Sequence, residues 1–364
     1  MSTPMLDTKE MSSLTSTQDS MHHFTSQEAG ALVERGNGIE AIHYATIAVV
    51  TPDEELIAWL GDPNQLFYTR SSIKPFQALE FFLSGAADYY KFTDEQLALM
   101  CASHNGADMH KQIAESILAR CNASAADLQC GTHLPTQMRL FNQTPMNGED
   151  KDPLRHNCSG KHSGFLALST FLKQPLVDYL NPTGELQRRI LKNVARACDY
   201  DIEKMPIGID GCSAPNVSMP VINLAKGFLR LASGTGWNDL SSRALKTYRD
   251  AMMSHPILVA GERRFDYDLM RALPGQVVSK IGAEACEGIG IVDPPMGIAV
   301  KIHDGADRAL GPVCIRTLIE LGVLDQRAIP EPLKNYFEPA VKNYRGTITG
   351  KITTPFHLHR HQKD

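Results

Sequence analysis

The stretch YTRSSIKPFQALEFF, residues 68–82, holds a serine and a lysine three positions apart. On a helical turn that spacing puts Ser71 and Lys74 on one face. A serine at a helix start feels the positive end of the dipole, which favours a developing alkoxide. A lysine takes the serine proton only when its own pKa is depressed, and burial or nearby cations do that. Arg70 supplies such a cation and also suits a two-pronged contact to a substrate carboxylate. Pro75 adds a constraint, because proline disfavours helical angles in the preceding residue and is comfortable only in a first turn. The helix is therefore expected to begin at about Ser71 or Ser72, with Ser71 at its tip. Alone, the motif says little, since most serines at helix starts are caps.

Two further signals give it weight. Residues 103–105 read SHN, an S-x-N, and residues 280–282 read KIG inside the strand-like VVSKIG. The order S-x-x-K, S-x-N, K-x-G is similar to the S-x-x-K, S-D-N, K-T-G set of serine β-lactamases and penicillin-binding enzymes. The chemistry it suggests is amide cleavage through an acyl-serine. Ser71 attacks, Lys74 takes its proton, and Ser103 with Lys280 passes a proton to the leaving nitrogen. Backbone N–H groups hold the oxyanion. The plain structural alternatives are a helix-end hydroxyl for Ser103 and an exposed strand residue for Lys280.

Two other polar stretches are dense in metal-binding types. RHNCSGKHSGF (155–165) holds His156, Cys158, Lys161 and His162, and GIDGCSAPN (208–216) holds Asp210 and Cys212. Soft thiolates with nitrogen suit zinc, although no paired C-x₂-C spacing is present. Packing cysteines, or a cysteine nucleophile with a histidine base, are the competing readings. His43 and His303 read as structural residues of strands. GIGIVDPP lacks the spacing and following helix of a nucleotide loop.

The elements that must carry these groups fall into three blocks. Residues 43–62 and LFYTR read as strands. A helix-rich middle follows, including TDEQLALMCASH with Thr93 as a cap, and then GQVVSKIGAE, EGIGIVD and MGIAVKIHD read as strands. A helix from RALGPVCIRTLIELGVL and a last strand in YRGTITGKI complete the chain. Strands first and last with helices between predict an α+β fold: an antiparallel sheet formed by both chain ends, with an inserted helical lobe. The expected boundaries are a disordered leader at 1–25, one domain at 26–352 and a frayed tail at 353–364.

A net charge of −5 without a basic stripe argues against a nucleic-acid partner. No apolar run reaches membrane-spanning length, and the first residues lack the apolar core of a signal peptide. The eight cysteines then read as reduced thiols in a cytoplasmic protein.

Together RSSIKPFQ, CASHNG, HNCSGKHSGF, DGCSAPN and SKIGAE resemble the rhizobial-type, or class 3, L-asparaginases of the asparaginase II family, from about Ile42 to about Lys351. The resemblance implies a serine β-lactamase-like fold, a homodimer, and hydrolysis of L-asparagine to L-aspartate and ammonia. It implies two Ser-Lys pairs, Ser71 with Lys74 and Ser103 with Lys280. It further implies a zinc ion near the substrate, bound by Cys158, Lys161 and Cys212. Arg70, His162 and Asp210 match pocket residues of the family, and Asn105 of the S-x-N is taken with them as substrate-binding. A lysine ligates only as a neutral amine, and a cation beside it supplies the needed pKa depression. The rivals are a glutaminase, a β-lactam hydrolase, and a non-catalytic zinc-stabilised binding protein. One methylene separates glutamine from asparagine and is worth only about 1–3 kcal/mol of discrimination.

Overall fold

The strand-forming runs at the two ends of the chain meet. The computed structural model describes residues 27–146 and 148–361. In it β1 (Glu28–Arg35) lies between β2 (Gly38–Val50) and β11 (Ile348–Thr353), antiparallel to both. The sheet continues through β9 (Met296–Ile302), β8 (Cys286–Ile291) and β7 (Val277–Gly282). At the other end β10 (Ala340–Lys342) flanks β11, and β3 (Leu56–Leu60) pairs with the second half of β2. Every pairing is antiparallel. A small second sheet joins β4 (Leu66–Tyr68), β6 (Pro215–Pro220) and β5 (Ile207–Ile209).

Between β4 and β7 the chain is mainly helical. The lobe opens with α1 (Lys74–Gln77), α2 (Leu79–Leu83), α3 (Ala86–Tyr90) and α4 (Asp94–Met100). It continues with α5 (Asp108–Arg120), α6 (Thr136–Phe141), α7 (Ser159–Phe171) and α8 (Glu185–Ala197). After the small sheet come α9 (Val221–Ser233), α10 (Asp239–Ser254), α11 (Pro256–Val259) and α12 (Phe265–Ala272), while α13 (Asp307–Glu320) follows β9. Thr93 caps α4 as its sequence predicts, in a reciprocal box with Gln96. The expected architecture, an antiparallel sheet from both chain ends with an inserted helical lobe, is the observed one.

Two cores lie on opposite faces of the sheet, and period-2 alternation builds both. In β2, Ala45, Ile47 and Val49 pack on one side with α12 and α13, while Ala48 and Val50 face the helical lobe. Glycines decide how closely α9 lies on the sheet. A Cβ at Gly297 would strike Ala225 O, and one at Gly288 would strike the Phe228 ring. The Gly-rich runs of β8 and β9 are thus a helix-docking surface, which is the physical use of the stretch that superficially resembles a nucleotide loop.

The segment after β11 departs from the frayed tail expected of a His-rich sequence. Trp59 and His359 exchange backbone hydrogen bonds of 3.0 and 2.8 Å, and Phe356 and Leu358 are buried. Alternation of apolar and histidine residues in FHLH is strand-like, and the apolar members fill the core. The leader expected at 1–25 lies outside the described residues. Among these residues no helix is long and apolar enough to cross a membrane.

Candidate active site

The site is built where β4 turns into the helical lobe. Thr69 N bonds Val217 O at 3.0 Å, and Arg70 takes a left-handed φ of +50°. Asn216 Oδ1 accepts from Arg70 N and Thr69 Oγ1, holding that strained residue. A 3₁₀ turn over Arg70–Ile73 then runs into α1, with Pro75 in its first turn. Lys74 keeps helical angles (φ −55°, ψ −38°) in spite of the proline after it. Ser71 therefore sits in the tight entry turn, as its sequence predicts. The end of β7 packs on this turn: a Cβ at Gly282 would lie 2.8 Å from Thr69 O. The glycine of K-x-G lets the edge strand approach that closely.

Ser103 follows α4, and Val259 O fixes its backbone N–H at 2.8 Å. Two buried lysines converge on it. Lys74 Nζ donates to Ser103 Oγ at 3.0 Å, to Cys158 Sγ at 3.1 Å and to Ala102 O. Its three N–H bonds are thereby used, and Ser71 is not among its partners. Lys280 Nζ donates to the same Ser103 Oγ at 3.0 Å and to Ile281 O at 2.7 Å. Burial pulls the Lys280 pKa down to about 8; Lys74 adds to that effect and Asp266 opposes it from 3.8 Å. Glu287 on β8, hydrogen-bonded to Ser279 Oγ, is buried and pushed well above the carboxylate range, first by burial and then by Asp266.

A second cluster sits on the far side of Lys74. Cys158 is the residue before α7, with Lys161 and His162 in the helix's first turn. Lys161 Nζ donates to Cys212 Sγ at 3.1 Å. Cys158 is held well below the thiol range by a hydrogen bond from Cys212, with burial opposing and Lys74 and Lys161 adding to the effect. Cys212 is raised by the same partnership and by burial. His162 Nδ1 contacts Tyr179 Oη at 2.7 Å, and its Nε2 is buried without a hydrogen-bond partner among the described residues. Those residues contain no group of three His, Cys, Asp or Glu arranged for a metal. The set here is different in kind: two thiols and an amine, beside an orphaned imidazole nitrogen. Such soft donors with nitrogen fit zinc.

Arg70 Nε donates to Asp210 Oδ1 at 2.8 Å. Burial raises the Asp210 pKa, but Lys161 and Arg70 outweigh it and hold the carboxyl below its usual range. Both residues line a cavity of about 430 Å³ that also includes Ser71, Cys158 and Cys212. A second cavity of about 590 Å³ meets it at Ser71 and includes Ser103. Ser71 stands at the junction of the two.

The family model for L-asparaginase II matches residues 31–354. The chain belongs to the L-asparaginase II family. No curated protein sequence matches it. Among solved structures it is similar to Mglu in its native form, with a TM-score of 0.36 and 15% identity over 78% of this chain and 66% of that one. Mglu in its L-glutamate binding form gives 0.35 and 14%, over 78% and 61%. The carbapenemase VCC-1 from Vibrio cholerae N14-02106 gives 0.37 and 13%, over 76% and 94%. This chain spans about two thirds of the length of the Mglu chains it matches. At such low scores the fold description rests on the sheet order and the helical lobe of this asparaginase II family member itself.

Of the residues expected from the sequence, Ser71, Arg70, Asp210, Cys158 and Cys212 line the first cavity, and Ser103 lines the second. Lys74, Lys161 and Lys280 are buried directly behind them. Asn105 and His162 line neither. The Asn105 Oδ1 accepts from Ala107 N, and its amide packs on Gly261. His162 is buried and turned to Tyr179. His133, Thr136, Arg139, Asn157 and Ala283 line both or one of the cavities and carry no motif that marks them in the sequence. Asp266, on α12, is the missed partner of Lys280; an aspartate beside FDYDL reads as an ordinary first-turn acid.

Proposed function

We propose that the protein hydrolyses L-asparagine to L-aspartate and ammonia through an acyl-serine on Ser71. The supporting observation is the placement of Ser71. It opens the entry turn of α1, stands where the two cavities meet, and has Lys74, Ser103 and Lys280 behind it. Arg70 and Asp210 pair with each other in the free protein and offer opposite charges. The α-carboxylate of asparagine takes the guanidinium and the α-ammonium takes the Asp210 carboxylate. The side-chain amide then lies over Ser71. Ser103, held between the two lysines, relays the Ser71 proton to neutral Lys280 as Oγ attacks, while Lys74 stays a hydrogen-bond donor. The Lys280 pKa of about 8 makes that amine able to give and take a proton near neutral pH, so Ser103 passes one to the departing nitrogen. Water then cleaves the ester with the same groups reversed.

Cys158, Lys161 and Cys212 are the residues that would hold zinc. When bound, the ion supplies fixed positive charge beside the substrate's charged groups. Lys161 is then neutral, and His162 lies next to the ligands. The protein's own residues bind, orient and move protons at the reacting amide.

Ammonia release from L-asparagine by the purified chain, lost in Ser71→Ala, is the expected result. Near-normal turnover in that variant would end the acyl-Ser71 reading. A second reading, with Ser103 as the nucleophile, draws on the two lysines at 3.0 Å from its Oγ. Mass analysis of quenched enzyme separates them, since an added aspartyl group maps to the peptide of Ser71 or of Ser103. Parallel assay with L-glutamine tests the glutaminase alternative.

A further inference from the structure

Expulsion of ammonia requires almost no space: the leaving group is one heavy atom. Yet the larger of the two cavities, about 590 Å³, opens on the Ser103 side of Ser71. The acyl half of the substrate occupies the other side, where Arg70, Asp210 and the thiols lie. Ser103, the group that protonates the departing nitrogen, lines the larger cavity and not the smaller. The larger cavity is therefore on the leaving-group side.

Its lining is strongly cationic. Arg139, Arg263, Arg264 and Arg308 face it, against one carboxylate, Asp307. Arg263 is fixed by a bond to Leu140 O and by stacking at 4.1 Å over Phe141, and Arg308 donates to His43. Neither Arg139 nor Arg264 has an ion-pair partner among the described residues. Half-buried Arg264 adjoins Phe265, two residues from the Lys280 counter-ion Asp266. Four guanidinium groups against one lining carboxylate around a roomy cleft suit a carboxylate-bearing ligand.

The geometry points to a second substrate class: asparagine derivatives whose amide nitrogen carries an acidic substituent, such as β-aspartyl dipeptides with a free terminal carboxylate. This rests on the acyl-Ser71 reading. Ser71 Oγ bonds to the β-carbonyl carbon and the C–N bond breaks. The departing amine takes its proton through Ser103, and water then cleaves the ester. The products are aspartate and the second amino acid, with one water consumed.

The test uses the full chain with three substrates: L-asparagine, β-aspartyl-glycine and β-aspartyl-glycinamide. Cleavage of β-aspartyl-glycine with a kcat/KM about tenfold above the glycinamide is expected, since one charge-assisted contact is worth about that factor. In Arg264→Gln and in Arg308→Gln the ratio of β-aspartyl-glycine to asparagine turnover should fall by about the same factor in at least one. Asparagine hydrolysis with no cleavage of either peptide overturns the proposal and leaves the asparaginase reading standing. Equal cleavage of acid and amide overturns the acidic preference. Loss of all three activities in a folded, zinc-replete sample overturns both readings.

Discussion

Lys280 and Lys161 are both fully enclosed, and the protein treats their charges in opposite ways. Around Lys280 burial wins: the nearest carboxylate is 3.8 Å away, Lys74 pushes from the other side, and the proton is loosened. Around Lys161 burial acts in the same direction but Cys212, Cys158 and Asp210 overrule it, so the proton is held more tightly than usual until a metal ion competes for the amine. The difference teaches that enclosure alone does not make a base. The count and closeness of opposing charges decide whether a buried amine gives its proton up or keeps it.

The sharpest way to break this contrast is Lys280→Met. It should lower asparagine turnover per folded molecule by about 10²–10⁴-fold, the range for loss of a positioned proton-transfer group. A variant that turns over asparagine normally would reduce Lys280 to a structural residue. Cys212→Ala attacks the other cluster. It strips Lys161 of its hydrogen-bonded thiol and should cost about 3 kcal/mol of unfolding free energy, because one partner of a buried pair is removed. Zinc content measured on the same sample should fall with it, and full occupancy would remove Cys212 from the ligand set.

Smaller in size is the pH effect. Turnover that needs neutral Lys280 is present above a pH of about 8 and is lost as pH falls through it. Asp266→Asn removes the charge that raises the Lys280 pKa, so the rising limb of the pH–rate profile should move to lower pH. A limb that stays in place would show that another group sets it. Stability responds with its own sign. The unfolded lysine binds its proton up to its ordinary pKa of 10.5, the folded one only up to about 8, so stability gains with rising pH between these values.

Much of this was legible before any coordinates. The order S-x-x-K, S-x-N, K-x-G predicts the convergence of Lys74, Ser103 and Lys280, and the proline at 75 predicts a helix start at about Ser71 or Ser72; a 3₁₀ turn holds Ser71 and the α-helix itself begins at Lys74. What the pattern missed is which serine the lysine touches. Spacing fixes a face of a turn, while the direction of a four-carbon side chain depends on Ala102 O and Cys158 Sγ, groups brought from elsewhere. Asp266 and Glu287 were invisible for a related reason. They reach Lys280 from α12 and β8, and nothing local distinguishes them from solvent-facing acids. Asn105 shows the reverse: it belongs to the S-x-N by spacing, but backbone capping claims its side chain.

The place of β1 between β2 and β11 bears on how the molecule is made. β1 is made long before β11, and Leu32 and Val33 find Thr353 and Ile352 only after some three hundred further residues. Until then that edge of β1 is unpaired, and the helical lobe carries Ser71, Lys74 and Ser103 without the strand that brings Lys280. Such distant pairing slows folding and leaves an open strand edge exposed to other chains. A nascent chain stalled before β7 carries Ser71 and Lys74 without Lys280, so the proposed acyl-serine chemistry would stay silent until the sheet is complete.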